Sequence, residues 1–494
     1  MYNRQKSGRG IENDMNQEML PNRRKALLFN AAFYTSAAVL LVILCLFCFY
    51  RLGDRAIYDA DEARHGASAY EMIQSGEWIV TTYKGTPDYW NLKPPLSEWA
   101  ICTFFAIFGY TKASFRAYSA VSMFLCVVLL FVWSWRRSGK AGSLFTLLAM
   151  LAINPLWMFH CARAGDANAL FLLFCTISTI CLAEAFDRNP KYLILSCFSA
   201  SMAFLTKSFH AVILVVEMFA SLFILHKQIR ISKSLVLYSI AALVLPTGIW
   251  ALLRYRCDGT AFLSEMLFTD VLHRSATTIE GHIGGPAFYV DFLLSDLGVL
   301  ACMAAIPAGV LLLKKLSSHH IILALSIFVP LLVFSAAKTK IEWYIYSAFP
   351  AISLLAGDGI QRVIDSQHRS FNKWLVVSIP VFVALLATYH SAYGILISPV
   401  VPDPVQEALE ICLDRTDETH SHTIYLDLRD NEKESWSASR YLTIQLAGDC
   451  LPGDGSIEDW KNDTDALLFT TDDSSSASEG KIIRSFEGYC LLSH

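Results

Sequence analysis

Apolar runs of about twenty residues recur from residue 26 to residue 398, and a helix needs roughly that length to cross the hydrocarbon core of a bilayer. This pattern restricts the fold to a polytopic α-helical membrane protein. Spans are expected at 26–50, 114–135, 141–160, 167–186, 191–206, 209–226, 234–254, 287–313, 320–336, 342–357 and 374–398, about eleven in all and up to thirteen if the weaker runs also cross. Composition agrees: 54% of the 494 residues are hydrophobic and 17% are charged, against about 25% charged in a soluble domain. No small-residue cleavage site follows 26–50, so it reads as a retained span behind a polar cytoplasmic tail, residues 1–25.

Charge divides the chain into two objects. From Asp403 onward there are 20 acids against 7 bases; everything before carries 24 acids against 33 bases. The expectation is a basic membrane body, 26–398, and an acidic soluble unit, 399–494. The tail reads as a small extracytoplasmic α/β domain, with a helix at 405–412 and strands at 422–428 and 466–471. Ten of the 13 cysteines lie in or near apolar runs and behave as small hydrophobes. Cys412, Cys450 and Cys490 lie in the tail, where two could pair in an oxidising compartment. No paired CxxC or Cys/His pattern marks a zinc site. Nothing points to a nucleic-acid partner.

The stretch 96–108 is apolar but too short to cross comfortably and reads as a helix lying on the membrane surface. With that reading and the N-terminus inside, one face collects Arg23, Arg24 and Lys25, Arg136, Arg137 and Lys140, Arg188 and Lys191, Lys227, Arg230 and Lys233, Lys314 and Lys315, and Arg362, Arg369 and Lys373. This is the cytoplasmic bias of the positive-inside rule. The other face collects the isolated charges, and the tail falls there too.

Those isolated charges carry the chemistry. The first outer loop, 51–113, holds Asp59, Asp61, Glu62, Arg64, His65 and then Lys93-Pro94-Pro95. Asp166 lies at the mouth of a later span, placed either to cap that helix or to join the first-loop acids as a base. Lys93, Lys207, Lys338, Lys340, Arg163 and Arg274 sit at span ends on a face where basic residues are disfavoured, so they need a partner. A lipid phosphate at the membrane surface would supply one. Glu280 and His282 flank Gly281 in the loop 255–287, where His282 could ligate a metal, donate to phosphate or carry a proton.

These residues resemble a known family. YDADEARHGASAYEMIQSGEWIVTTYKG followed by LKPPL (58–96) is similar to the first outer loop of the GT-C membrane glycosyltransferases, in the aminoarabinose-transferase-like group related to protein O-mannosyltransferases. FLTKS, the RxGDxxAL segment at 163–170, the EGHxGG loop and AKTKxxWYIYxxFP resemble later motifs in the same order. The resemblance implies an inverting transfer of one sugar from a polyprenyl-phosphate donor to a lipid, glycan or protein acceptor, on the periplasmic side of a bacterial inner membrane. It makes Asp61 the acceptor-activating base or the acid that orients it, with Asp166 and Glu62 as further acids. Arg64, Lys93, Lys207, Arg274, Lys338, Lys340 and Tyr344 become the donor-phosphate set. Lipid A-modifying relatives carry an acid directly before the Lys-Pro pair; here it is Leu92. No cofactor is required by this reading, and a divalent metal is left to Glu280 and His282. The competing class is a transporter or flippase for an anionic lipid-linked sugar.

Overall fold

The protein is described by a computed structural model covering residues 4–273, 276–277, 281–313, 316–366, 372–413, 419–428, 437–453 and 457–494. Among the described residues, seven helices are long and apolar enough to cross a membrane, and an eighth forms if two helices meeting at 94° count as one. The long helices are α1 (Arg4–Phe49), α4 (Lys112–Arg137), α7 (Asn168–Asp187), the run containing α8 (Tyr192–Lys207) and α9 (Val212–Ile224), α10 (Lys233–Asp258), α14 (Ser318–Ala336) and α16 (Asn372–Ala392). The bent pair is α12 (Phe288–Ser295) and α13 (Leu297–Leu311). Asp296 makes the corner: its carboxylate caps α13 at the Val299 N–H and also accepts from the Asn154 N–H.

Two expected spans and the expected N-terminal tail differ from what is found. The run at 141–160 is α5 (Lys140–Ala152) followed by the single turn α6 (Pro155–Met158). The run at 342–357 is a 3₁₀ turn, Glu342–Ala348, followed by α15 (Phe349–Asp365). In both cases a proline in the first turn restarts the helix. The polar stretch expected as a tail continues α1 from Arg4.

Residues 192–224 pass as one apolar run of 33 residues, but the contacts show a reversal. Asp187, just before this run, pairs with His319. Gln228, just after it, accepts a 2.6 Å hydrogen bond from Ser318. Both ends therefore lie at one end of the bundle. The turn is at Lys207–Ala211, where Ser208 has a φ of 55°. The same end gathers Arg137 with Glu184 and Asp187, and Gln361 accepting from the Gly142 N–H. At the opposite end Arg163 donates to the carbonyls of Phe47, Tyr50 and Arg51, tying α1 to the loop before α7. Glycines let helices meet backbone to backbone: a Cβ on Gly309 of α13 would lie 2.2 Å from the Cα of Gly359 in α15.

The first outer loop carries α2 (Asp61–Ser75), a two-stranded hairpin (β1, Thr82–Tyr83; β2, Thr86–Pro87) and α3 (Leu96–Phe108). At 13 residues α3 is about 20 Å long, short of a bilayer core. It packs one face on α2 and α4 and exposes Ile107 and Phe108.

The chain beyond α16 contains α17 (Pro404–Cys412), α18 (Ala438–Gly448), α19 (Ile457–Asn462) and a five-stranded sheet. The strands are β3 (Thr423–Asp427), β4 (Leu451–Pro452), β5 (Leu467–Thr471), β6 (Lys481–Phe486) and β7 (Tyr489–Ser493), in the order β4-β3-β5-β7-β6. β3 runs parallel to β4 and β5; β7 runs antiparallel to β5 and β6. Cys412, Cys450 and Cys490 are buried and free, so the pairing expected between two of them is not made. Each packs as an apolar side chain instead.

This unit is fused to the first outer loop. Leu442 and Leu446 of α18 share an apolar cluster with Ala63 and Tyr70 of α2 and Ile101 of α3. Around it, Tyr70 donates to Asp449 (2.6 Å), Tyr441 to Glu71 (2.9 Å) and the Ser439 N–H to Asp59 (2.9 Å). The Gln406 amide accepts from the Ile57 N–H and donates to the Ile57 carbonyl, as a neighbouring strand would.

Candidate active site

A cavity of about 300 Å³ opens where the first loop meets the ends of α7, α8 and α14. Asp61, Lys93, Lys207 and Tyr344 line it with His160, His210, His282, Trp90 and Trp343. Five segments far apart in sequence are thus brought to one place.

The acidic side begins at Asp61, the first residue of α2. Lys93 donates to its Oδ1 at 3.1 Å and to Asn91 Oδ1 at 3.1 Å. Asn91 in turn donates to Glu98, which lies 2.9 Å from His65. Burial alone would favour the neutral acid, but the charges of Lys93, His65 and His160 outweigh it. They hold the Asp61 carboxyl well below the usual carboxylate range.

Glu62, one residue on, does something else. The helix turns about 100° per residue, which points Glu62 into the protein. There it accepts from Arg116 Nε (2.8 Å) and Nη2 (3.1 Å) and from the N–H groups of Tyr58 (2.7 Å) and Gly165 (2.8 Å). With four donors and no exposure it ties the first loop to the loop before α7, and this expected further acid does not line the cavity. The 163–166 loop fits closely there: a Cβ on Gly165 would meet the Phe115 ring at 2.0 Å.

Asp166 does not cap α7. No side-chain cap bond is made at that helix start. Its Oδ2 lies 3.0 Å from Nδ1 of His160, and the His160 ring faces the cavity. Burial opposes both charges, yet the shared bond dominates: it lowers Asp166 and raises His160 from their ordinary values. The His160 ring lies against Trp343, whose ring centroid is 4.1 Å away, with Tyr58 at 6.0 Å.

The basic residues divide. Lys93 and Lys207 reach the cavity; Lys207 donates to Asn168 and lies 5.4 Å from the centre of the Tyr344 ring. Arg64 backs the wall: it pairs with Asp88 at 2.9 Å and stacks on Tyr83 and on Trp90. Lys340 turns inward, where its ammonium caps the carbonyls of Phe334, Ser335 and Ala337 at the end of α14. Lys338 is exposed and does not line the cavity. Arg64, Lys338 and Lys340, expected in the donor-phosphate set, thus do not line the cavity. Arg274 and Glu280 lie outside the described residues.

Among the described residues no group of three His, Cys, Asp or Glu side chains is spaced to hold a metal ion. Leu92, directly before the Lys-Pro pair, is 4% exposed and packs with Leu205, Trp250 and Phe262. The described donors therefore do not make a metal site around His282, and no step below uses one.

Sequence reasoning passed over His160, although it lies six residues before Asp166. It also could not see the backbone strain. Ala60, His160 and Ser208 are non-glycine residues with φ of 61°, 47° and 55°. They stand before Asp61, at the cavity wall and after Lys207. Such conformations cost about 1–3 kcal/mol each and collect where geometry is functionally constrained.

Residues 92–250 match the model of the dolichyl-phosphate-mannose-protein mannosyltransferase family. The undecaprenyl phosphate-alpha-4-amino-4-deoxy-L-arabinose arabinosyl transferase of Yersinia enterocolitica is 26% identical over 338 residues, 65% of this chain and 58% of that protein. The chain thus matches less than two thirds of that relative's length. The fold superposes on ArnT from Cupriavidus metallidurans, solved with undecaprenyl phosphate, with a TM-score of 0.66 and 14% identity over 93% of this chain and 97% of that one. It superposes on the mycobacterial arabinofuranosyltransferase AftD with a TM-score of 0.52 and 13% identity, over 90% of this chain and 37% of that one. This apolar, many-helix integral membrane protein is thus similar in sequence to polyprenyl-phosphate-dependent sugar transferases and shares its fold with ArnT.

Proposed function

We propose that the chain transfers one sugar, with inversion, from a polyprenyl-phosphate carrier to a lipid, glycan or protein acceptor at the outer face of a bacterial inner membrane. The observation that carries this reading is the pairing of Asp61 with Lys93 in a cavity that also receives Lys207. Transfer builds positive character at the sugar carbon and negative charge on the leaving phosphate. A carboxylate beside two ammonium groups complements both ends at once. Of the two roles open to Asp61, its tie to Lys93 favours the orienting acid: it faces the sugar and aims the cation at the phosphate. The Tyr344 ring beside Lys207 supports the donor from the far wall.

The proposed topology has eleven crossings. Counting α8 and α9 as a hairpin, α12 with α13 as one bent crossing, and α5 and α15 as short crossings leaves the cavity and the tail on the same side. The transporter reading would place charges near the bilayer midplane. Here Asp61 begins α2, Lys207 ends α8 and Asp166 precedes α7, all at element ends.

The test uses the purified chain with a panel of undecaprenyl-phosphate-linked sugars, reading release of undecaprenyl phosphate. Turnover that is lost in Asp61→Asn supports the proposal. Binding without turnover across the panel, together with movement of the intact lipid across vesicles, would favour transport.

A further inference from the structure

We infer that His160 is the proton acceptor for the incoming hydroxyl, held for that task by Asp166. The inference rests on the glycosyl-transfer reading above and assigns a residue outside the matched motifs.

The geometry is that of a carboxylate–imidazole pair. Asp166 is 1% exposed and holds Nδ1 of His160 at 3.0 Å. This fixes the tautomer with the proton on Nδ1 and leaves Nε2 as the acceptor. Among the described residues Nε2 has no hydrogen-bond partner, and the His160 side chain, one quarter exposed, lines the cavity. The Trp343 ring centroid lies 4.1 Å from that of His160, and the Tyr58 ring is also near, at 6.0 Å. The φ of 47° at His160 is a backbone conformation this residue adopts at a cost, and the tight Asp166 and Trp343 contacts keep it there.

Asp61 is the weaker candidate for the same task. A carboxylate paired with an ammonium is a poor base, and a proton acceptor works best with a pKa near the working pH. His160, raised from its ordinary value by Asp166, is nearer that range. Its titration is set by its own burial, by Asp166 on its own loop, and by Asp61 and Glu62 from α2, while Lys93 acts on its partner Asp166. Lys207, His210 and His282 share the same space.

The step balances without a further reagent. The acceptor O–H proton passes to Nε2. The acceptor oxygen bonds to the anomeric carbon. The carbon–oxygen bond to phosphate breaks, and its electron pair leaves with polyprenyl phosphate between Lys93 and Lys207. The imidazolium then returns its proton to water.

The experiment compares wild type, His160→Gln and Asp166→Asn as intact detergent-solubilised chains. Readouts are steady-state turnover of the same lipid-linked sugars, undecaprenyl phosphate binding, and mass mapping of diethyl pyrocarbonate adducts. His160→Gln should lower kcat by roughly 10²-fold or more, leave the donor KM within a few-fold, and abolish the rise of kcat with pH. Asp166→Asn should lower kcat and move that rise to lower pH, which a merely structural role would not do. Diethyl pyrocarbonate should label His160, and undecaprenyl phosphate should protect it. A His160→Gln enzyme with wild-type kcat and pH profile, or a His160 that resists the reagent in the folded chain, overturns the inference while leaving the function standing. A wild-type chain that neither binds undecaprenyl phosphate nor turns over any sugar overturns the function itself.

Discussion

Glu62 and Arg116 meet through two hydrogen bonds, at 2.8 and 3.1 Å, with neither side chain more than 1% exposed. Arg116 also donates to the carbonyls of Leu52, Arg55 and Ala56, and Glu62 accepts two backbone N–H groups. The pair is the knot between α4, the start of the first loop and the loop that carries Asp166. Removing one partner strands a buried charge, a loss of about 3–5 kcal/mol. Arg116→Ala should therefore lower the thermal midpoint in detergent sharply and reduce activity in proportion to the folded fraction. A variant that melts like wild type but is inactive would return Glu62 and Arg116 to the chemistry.

Lys93→Ala should weaken donor binding more than it weakens acceptor binding, measured as separate KM effects. It also has a pH signature. In the wild type the Asp61 carboxyl lies below its ordinary value, so its charge is complete above the unfolded pKa and is lost only as pH falls well below it. Without Lys93 the largest favourable charge is gone, and the acid limb of the rate profile should move up toward the carboxylate range. An unmoved acid limb would show that Lys93 does not set the state of Asp61.

Gly66→Ala tests the grip of the tail on the catalytic loop. A Cβ at Gly66 would lie 2.4 Å from a methyl of Leu442 and 2.9 Å from the Phe115 ring. Crowding a packed core costs about 1–3 kcal/mol. The variant should release the tail to limited proteolysis and lose turnover, while the membrane body stays inserted. Leu442→Ala should do the same by leaving a cavity, at about 2–5 kcal/mol. Full activity in a protease-clipped chain would sever the tail from the mechanism.

Impermeant thiol reagents check the topology. Lys191→Cys and Lys227→Cys bracket the reversal at Ser208, and both should be labelled only from the side that also labels Arg136→Cys. Labelling of the two from opposite faces would make residues 192–224 a single crossing.

How much of this was legible in the chain follows from what each signal measures. Apolar length reports span existence, so the long helices were readable, whereas the run at 141–160 was drawn too long past Ala152 and the run at 342–357 was begun ahead of the helix that starts at Phe349. Motif content found the neighbourhood of the site but not the facing of each side chain. Asp61 and Glu62 are adjacent, and helix rotation sends one to the cavity and the other to Arg116. Lys338 and Lys340 flank Thr339, and the second is used up by the end of α14. Charge density drew attention to the lysines and away from His160, whose importance comes from a partner six residues on and from aromatic walls 102 and 183 residues away. No local pattern encodes that.

The clasp of Gln406 on Ile57 spans 349 residues of chain. During synthesis the first outer loop is delivered early, and the surface that completes it is delivered last. Until α17 and α18 emerge, the apolar cluster of α2, α3 and α4 lacks Leu442 and Leu446, and the backbone at Ile57 lacks Gln406. A ribosome that stops anywhere in the tail leaves an inserted membrane body with an unfinished loop. The first loop is therefore complete only when the tail, through α18, has been made.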